Sequence, residues 1–163
     1  MHRSIIRVLV VDDFEPWRRF TCSILQKESY LTIIDQAANG LEAVDKARDS
    51  QPDLVLLDIG MPKLNGLEAA RQIRVCSPNS KILFVSENLS AEIADEGLRI
   101  GGSGYVLKSE AGTELLVAVR AVMQGKQFVS SRLSGRTPTE DLDGELVKVP
   151  GSSAGPRLLR MCK

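Results

Sequence analysis

The chain is poor in several residue types on which common catalytic and structural sites depend. Its single histidine, His2, lies next to the amino terminus and is interpreted as having no catalytic role. Its three cysteines, Cys22, Cys76 and Cys162, are odd in number and form no CxxC motif. This spacing argues against a disulfide framework and favours reduced thiols in a cytosolic protein.

Charge and hydrophobicity exclude further classes. The 21 Lys and Arg residues balance the 21 Asp and Glu residues, so the whole chain does not attract nucleic acid or anionic lipid, and we expect no direct DNA binding. No apolar stretch approaches the roughly 20 residues that span a bilayer. The first residues do not resemble a signal peptide. We therefore expect a cytoplasmic protein without a membrane segment.

Short apolar runs alternate with helical patterns along most of the chain. The runs are rich in β-branched residues and are predicted as strands, and the segments between them carry apolar residues at helical spacing, such as the predicted core stripe of Trp17, Phe20 and Ile24. The alternation predicts an α/β fold: a doubly wound, five-stranded parallel sheet with helices on both faces, in flavodoxin-like topology. The predicted strands are Ile5–Val11, Leu31–Ala37, Asp53–Leu57, Lys81–Val85 and Ser103–Leu107.

Acidic residues stand directly after two of these strands. Asp12 and Asp13 follow the first strand, and Asp58 follows the third. Because ligands bind beyond the carboxyl ends of the strands in an open α/β sheet, we expect the three carboxylates to share one pocket if these strands are adjacent. Carboxylates so close together need a cation, and oxygen ligands favour a hard one such as Mg²⁺.

Two further residues extend the same edge of the sheet. Lys108 follows the fifth strand and brings a positive charge, and Ser86 follows the fourth strand and brings a hydroxyl donor. A carboxylate can accept a phosphoryl group to form an acyl phosphate, and Asp58 is the best candidate for that nucleophile. In this interpretation Asp12 and Asp13 hold Mg²⁺, while Lys108 pairs with a phosphoryl oxygen.

Each of these residues also has a plain structural interpretation. Taken alone, Asp12 and Asp13 are a turn or a helix cap, and Asp58 is a loop residue. The conjunction of these acidic residues with Lys108 and Ser86, each at the end of a predicted strand, favours the functional interpretation.

The motifs that carry this pattern are the acidic pair, the serine after the fourth strand, and the three runs Leu57–Glu68, Gly104–Ser109 and Gly125–Ser130. In this order they resemble the receiver domain of two-component response regulators, in particular that of the NarL/FixJ (LuxR-type) subfamily. The resemblance covers the chain from about Ile5 to Leu133.

The resemblance implies a phosphoacceptor with slow autophosphatase activity, and not an enzyme. By that resemblance, Asp58 accepts a phosphoryl group from a sensor histidine kinase. Mg²⁺ is then bound by Asp13, Asp58 and the Gly60 carbonyl, and by Asp12 through a water molecule.

The resemblance also implies a conformational switch. Ser86 moves toward the phosphoryl group, and Tyr105 rotates into the space that Ser86 leaves. This movement acts on the face formed by the fourth helix, the fifth strand and the fifth helix. We expect the readout to be homodimerisation or partner binding at that face, around Tyr105 and the helix bearing Leu115 and Val119.

Two features depart from the family pattern. Glu87 follows the switch serine where the family usually has a small residue, so its carboxylate narrows access to the site or repels an incoming anion. After Leu133 the sequence lacks the periodicity of a helix-turn-helix output domain and is rich in turn and linker signals. We therefore expect a receiver domain over residues 1–130 and a disordered or non-native tail over residues 131–163. The chain is then a truncated regulator or a stand-alone receiver.

Two other functions compete with this one. A haloacid-dehalogenase-type phosphohydrolase also forms an aspartyl phosphate with Mg²⁺ on a parallel α/β fold. Its two carboxylates stand at alternate positions, DxD, whereas here the acidic pair is adjacent and Phe14 takes the place of the second Asp. A receiver-like interaction domain that no longer accepts phosphate is the other alternative, which Glu87 keeps open.

Overall fold

The computed structural model describes residues 4–134, and the strands of that part of the chain form one six-stranded sheet. The strands are β1 Ile6–Val11, β2 Leu31–Ala37, β3 Leu54–Leu57, β4 Lys81–Ser86, β5 Gly104–Leu107 and β6 Phe128–Val129. The helices are α1 Glu15–Leu25, α2 Gly40–Ser50, α3 Gly66–Cys76, α4 Ala91–Arg99, α5 Ala111–Met123 and α6 Ser131–Ser134, with a single 3₁₀ turn at Lys108–Glu110.

The strand order is β2-β1-β3-β4-β5-β6, and every neighbouring pair is parallel. The predicted doubly wound parallel sheet is confirmed, with all five predicted strands present. The structure adds β6, a two-residue strand beside β5, because the buried Phe128 anchors the chain there as it leaves α5. The chain moves from β1 outward to β2 and then back to β3 on the other side of β1, which places the topological switch point between β1 and β3.

Helices cover both faces of the sheet, and each face has its own hydrophobic core. One cluster joins the sheet to α1 and α5, and the other joins it to α2, α3 and α4. Leu115 and Val119 of α5 are fully buried in the first cluster and Tyr105 of β5 is fully buried in the second. The interaction at the face around these residues stays a prediction, but the three side chains themselves are used in packing and are not exposed on that face.

The described structure continues past the predicted domain boundary at residue 130. Residues Ser131–Ser134 form α6, and Leu133 packs against the second core cluster. The rest of the predicted tail, residues 135–163, lies outside the described residues. Between residues 4 and 134 no helix is both long and apolar enough to cross a membrane.

Candidate functional site

The sheet brings the three predicted acidic residues together at one edge. β1 and β3 are neighbours, and Val11 pairs with Leu57, so the residues after both strands lie side by side. Asp12, Asp13 and Asp58 each have a carboxylate oxygen within 4.8 Å of the others. Asp12 and Asp58 are buried and Asp13 is exposed. The cluster therefore opens to solvent on the Asp13 side.

Lys108, the residue after β5, reaches this cluster. Its Nζ lies 2.5 Å from Asp12 Oδ2 and 3.6 Å from Asp58 Oδ2. The same ammonium group lies 5.1 Å from the centre of the Trp17 ring, on α1. A cation near an aromatic face is attracted by the ring quadrupole, so Trp17 helps to hold the lysine in place. In this conformation Lys108 contacts Asp12 more closely than Asp58.

The two buried carboxylates have different partners. Asp12 Oδ1 accepts a hydrogen bond from the Phe14 amide at 2.9 Å, and its Oδ2 faces Lys108 in an ion pair without hydrogen-bond geometry. Asp58 Oδ1 accepts a hydrogen bond from the Ile59 amide at 2.9 Å. Both oxygens of Asp12 are thus engaged, whereas Asp58 Oδ2 has only the more distant lysine.

Asp58 has a perturbed acidity. Its pKa is raised from 3.8 to about 6, mainly by burial and next by the negative charge of Asp12. The Lys108 charge and the Ile59 hydrogen bond lower the pKa without cancelling this effect. Since burial penalises the ionised form of Asp58, a cation bound among the carboxylates would favour that ionised, nucleophilic form over the protonated one.

The carboxylates open into a cleft of about 420 Å³. It is lined by Asp13, Phe14, Asp58, Ile59, Gly60, Ser86, Glu87, Asn88 and Lys108. Every residue predicted from the sequence for phosphoryl transfer and metal binding except the buried Asp12 therefore borders the cleft. Glu87 borders it too, so a further carboxylate adds to the negative charge around a single lysine.

The donor set suits a hard divalent cation. Three carboxylates meet within 4.8 Å, and the backbone of Gly60 lines the same cleft. Oxygen ligands of this kind match Mg²⁺ in preference to a softer metal. Because both Asp12 oxygens are engaged, Asp13 and Asp58 are the side chains with a free oxygen to offer.

Ser86 and Tyr105 meet at the loop that follows β4. The Ser86 hydroxyl is buried and accepts a hydrogen bond from the Asn88 amide at 3.1 Å, and the Tyr105 hydroxyl donates to the Asn88 carbonyl at 2.8 Å. Burial raises the pKa of Tyr105 above its ordinary value. The Tyr105 ring already lies inside the domain, with its centre 6.4 Å from that of Phe84.

Two contacts at the site were missed by the sequence reasoning. The sequence pattern predicts Trp17 only as a core residue and predicts no role for Asn88, yet they contact Lys108 and Tyr105 respectively. For Trp17 a signal was present, because it stands four residues after Asp13 in the first turn of the helix that starts at the cleft. For Asn88 no spacing in the sequence indicates that its backbone carbonyl accepts from a residue of another strand.

Comparison with known proteins agrees with this fold. The response regulator receiver domain family matches residues 8–120 of this chain. The response regulator GacA of Pseudomonas viridiflava is 34% identical over 130 residues, which are 80% of this chain and 61% of that protein. The response regulator UvrY of Escherichia coli K12 is 29% identical over 157 residues, 96% of this chain and 72% of that protein.

Solved structures give the same result. The crystal structure of a LuxR-family two-component response regulator from Aurantimonas sp. SI85-9A1 superposes with a TM-score of 0.78 and 28% identity, over 85% of this chain and 99% of that one. The chain spans between 57% and 62% of the length of four curated relatives that it matches.

The chain belongs to the response regulator receiver domain family. Its relatives are NarL- and LuxR-type response regulators, so it is a receiver domain of two-component signalling, a class that serves as a phosphorylation-dependent switch. Domains of this class take phosphoryl groups from histidine kinases and bind Mg²⁺ in an acidic pocket. The haloacid-dehalogenase alternative has no support from these comparisons, and the place of its second Asp is occupied by Phe14.

Proposed function

We propose that this chain accepts a phosphoryl group on Asp58 from a sensor histidine kinase and relays the change to a protein partner. The observation that carries the proposal is the position of Asp58. It is a buried carboxylate at the end of β3, it opens into the cleft, and its Oδ2 lies 3.6 Å from Lys108 Nζ. Positioning and charge neutralisation are what phosphoryl transfer requires of a protein.

In the transfer step an Asp58 oxygen attacks the phosphorus of a phosphohistidine. The phosphorus–nitrogen bond breaks, its electron pair stays on the imidazole nitrogen, which then takes a proton, and an acyl phosphate forms on Asp58. Lys108 balances charge on the phosphoryl oxygens, and the Ser86 hydroxyl donates to one of them. Bound to Asp13, Asp58 and the Gly60 carbonyl, Mg²⁺ would supply further charge neutralisation. Water entering the open cleft would slowly hydrolyse the acyl phosphate, which is the proposed autophosphatase activity.

The test is incubation with acetyl phosphate and Mg²⁺, followed by intact-mass analysis. We expect one phosphoryl group on each chain and no turnover of phosphate esters. A chain that stays unmodified under these conditions would be an interaction domain that no longer accepts phosphate. Continuous release of phosphate from esters would instead indicate a hydrolase.

Magnesium binding should stabilise the folded domain. A ligand that binds only the native state raises its stability, and relief of repulsion among the clustered carboxylates adds to this. We expect millimolar Mg²⁺ to raise the melting temperature of wild type but not of Asp13→Asn, measured by thermal denaturation. Asp95→Asn removes an exposed carboxylate on α4, outside the cleft, and should respond like wild type. An equal response from Asp13→Asn would remove Asp13 from the metal site.

We infer that the output is homodimerisation or partner binding at the face formed by α4, β5 and α5. The hydrogen bond from Tyr105 of β5 to Asn88, in the loop before α4, supports this, since a change at Ser86 would reach both elements.

Sedimentation with and without beryllofluoride should show association strengthened by about 1–3 kcal/mol, the usual range of allosteric coupling. A gel shift on mixed-sequence DNA at physiological salt should show no binding. Unchanged association, or salt-resistant DNA binding, would contradict this output.

A further inference from the structure

A buried carboxylate lies outside the cleft, in the first turn of α5. Glu114 has only 1% of its surface exposed. Its Oε1 accepts a hydrogen bond from the Ser130 hydroxyl at 2.6 Å, and its Oε2 accepts from the hydroxyl and the amide of Ser131 at 2.9 and 3.2 Å. A buried carboxylate is strongly destabilising unless it is hydrogen-bonded in this way, so these contacts hold the three residues firmly together.

Ser130 connects this carboxylate to the end of β5. Its hydroxyl has one proton, which goes to Glu114, so the oxygen can accept, and the Leu107 amide donates to it at 2.8 Å. The ladder between β5 and β6 ends at the pair of Tyr105 with Val129. The last amide of β5 is therefore held by a side chain that Glu114 orients, instead of by the backbone of β6.

Lys108 is the next residue along the chain. Its backbone therefore follows directly from the amide that Ser130 holds, while its ammonium lies 2.5 Å from Asp12 and 3.6 Å from Asp58. The Lys108 ammonium can neutralise charge on a phosphoryl group at Asp58 only if it is held within a narrow range of positions. A continuous path of contacts thus leads from Glu114 through Ser130 and Leu107 to the lysine of the cleft.

We propose that Glu114 is a positioning residue for Lys108, acting through the Ser130 hydroxyl and the end of β5. The inference rests on the proposed phosphorylation of the cleft aspartate. The path depends on a carboxylate, which only accepts hydrogen bonds, because the amide nitrogen of a glutamine cannot accept from Ser130 or Ser131. The same carboxylate holds Ser131, the first residue of α6, so the lysine end of β5 and the segment after β6 are held by one group.

The test compares Glu114→Gln and Ser130→Ala with Ser131→Ala. The control removes a hydroxyl that donates to the same carboxylate but leaves the path to Leu107 intact. We expect phosphorylation by acetyl phosphate, per folded molecule, to slow about tenfold in the first two variants, since displacement of a positioned group by about 1 Å costs up to roughly a hundredfold. Ser131→Ala should react at the wild-type rate.

Two further readouts separate positioning from a purely structural role. Trp17 is the one tryptophan of the chain, and its ring lies 5.1 Å from Lys108 Nζ, so its fluorescence should change in Glu114→Gln and Ser130→Ala but not in Ser131→Ala. In a Lys108→Met background, Glu114→Gln should cause no further slowing, because the effect is expressed through the lysine.

The outcomes are distinct. Wild-type rates and unchanged Trp17 emission in both test variants, or the same slowing with and without the lysine, would overturn the inference. If Glu114→Gln does not fold, Ser130→Ala carries the test, because it leaves the carboxylate bonded to Ser131. If wild type itself accepts no phosphate, the proposed function fails, and Trp17 emission then decides the positioning question alone.

Discussion

We expect Asp58→Asn to abolish phosphorylation and at the same time to make the domain more stable. Asparagine keeps the shape of the side chain but removes the anionic oxygen that attacks phosphorus. It also removes a charge that the fold disfavours, because burial raises the pKa of Asp58 to about 6 from 3.8. A difference of about two pKa units corresponds to at most about 3 kcal/mol. We therefore expect the free energy of unfolding of Asp58→Asn to exceed that of wild type by roughly 1–3 kcal/mol in metal-free buffer near neutral pH.

The pH dependence follows from the direction of this shift. Between pH 3.8 and about 6 the native state keeps the Asp58 proton while the unfolded chain has lost it. The native state therefore binds more protons, and wild-type stability falls as pH rises through that window. Above about pH 6 the stability cost of keeping the ionised Asp58 buried is constant. The stability advantage of Asp58→Asn should be full near pH 7 and should vanish close to pH 4.

Denaturant unfolding of both proteins at several pH values measures this advantage, and intact-mass analysis after acetyl phosphate measures the modification. Asp45→Asn is a suitable control, because Asp45 is an exposed carboxylate of α2 outside the cleft. That variant should still be phosphorylated and should show no such pH-dependent gain. Acid- and base-labile phosphate on the Asp58→Asn protein would place the acceptor elsewhere.

The grouping of the site at one sheet edge was predictable from the sequence. Asp12, Asp13, Asp58 and Lys108 each follow a short apolar run, and parallel strands place their carboxyl ends at one edge. The one condition was that β1 and β3 be adjacent, which the strand order satisfies. Strand periodicity and chain direction therefore carried most of this prediction, without any knowledge of side-chain contacts.

Contacts that depend on packing were not predictable in the same way. Phe20 was placed in the core stripe of α1, yet 42% of it is exposed, because a helix turns only part of an apolar stripe toward the sheet. A glutamate in the first turn of a helix, such as Glu114, is explained by its favourable interaction with the helix dipole alone and would ordinarily face solvent. Its burial depends on Ser130 and Ser131, which reach it only because β6 continues the sheet beside β5.

The identity of the lysine partner was also beyond the sequence. The pattern placed Lys108 near the phosphoryl site, but whether it pairs first with Asp12 or with Asp58 depends on distances of about an ångström. The same holds for Tyr105, whose ring packs in the second core cluster while its hydroxyl donates to the Asn88 carbonyl. Sequence periodicity specifies the face of a strand and leaves the depth of each side chain to the packing around it.

The second large effect concerns Gly66, at the start of α3. A Cβ at this position would lie 2.0 Å from the Asp58 carbonyl oxygen and 2.7 Å from Ile59 Cα. Both are backbone atoms, so they cannot move aside as a flexible side chain could. The Gly66 amide also donates to the Ile59 carbonyl at 2.8 Å, which closes the loop between β3 and α3. Only a residue without a side chain allows α3 to approach the loop between β3 and α3 so closely.

We therefore expect Gly66→Ala to lose about 3–5 kcal/mol of stability, in the range of severe backbone clashes in a core. The loop must open to admit the methyl group, and the Asp58 carboxylate moves with its backbone. Any protein that remains folded should show little stabilisation by Mg²⁺. Denaturant unfolding with and without Mg²⁺ measures both effects.

Gly112→Ala makes the same chemical change where space is available. Apart from its chain neighbours and the backbone of its own helix, no atom lies within 4 Å of a Cβ at Gly112, which stands on α5 away from the cleft. Alanine is the better helix former by about 1 kcal/mol, so this variant should be as stable as wild type or slightly more stable, and its Mg²⁺ response should be unchanged. If Gly66→Ala matched it in stability and in Mg²⁺ response, the loop would not be held by the close approach of α3, and the position of Asp58 would need another cause.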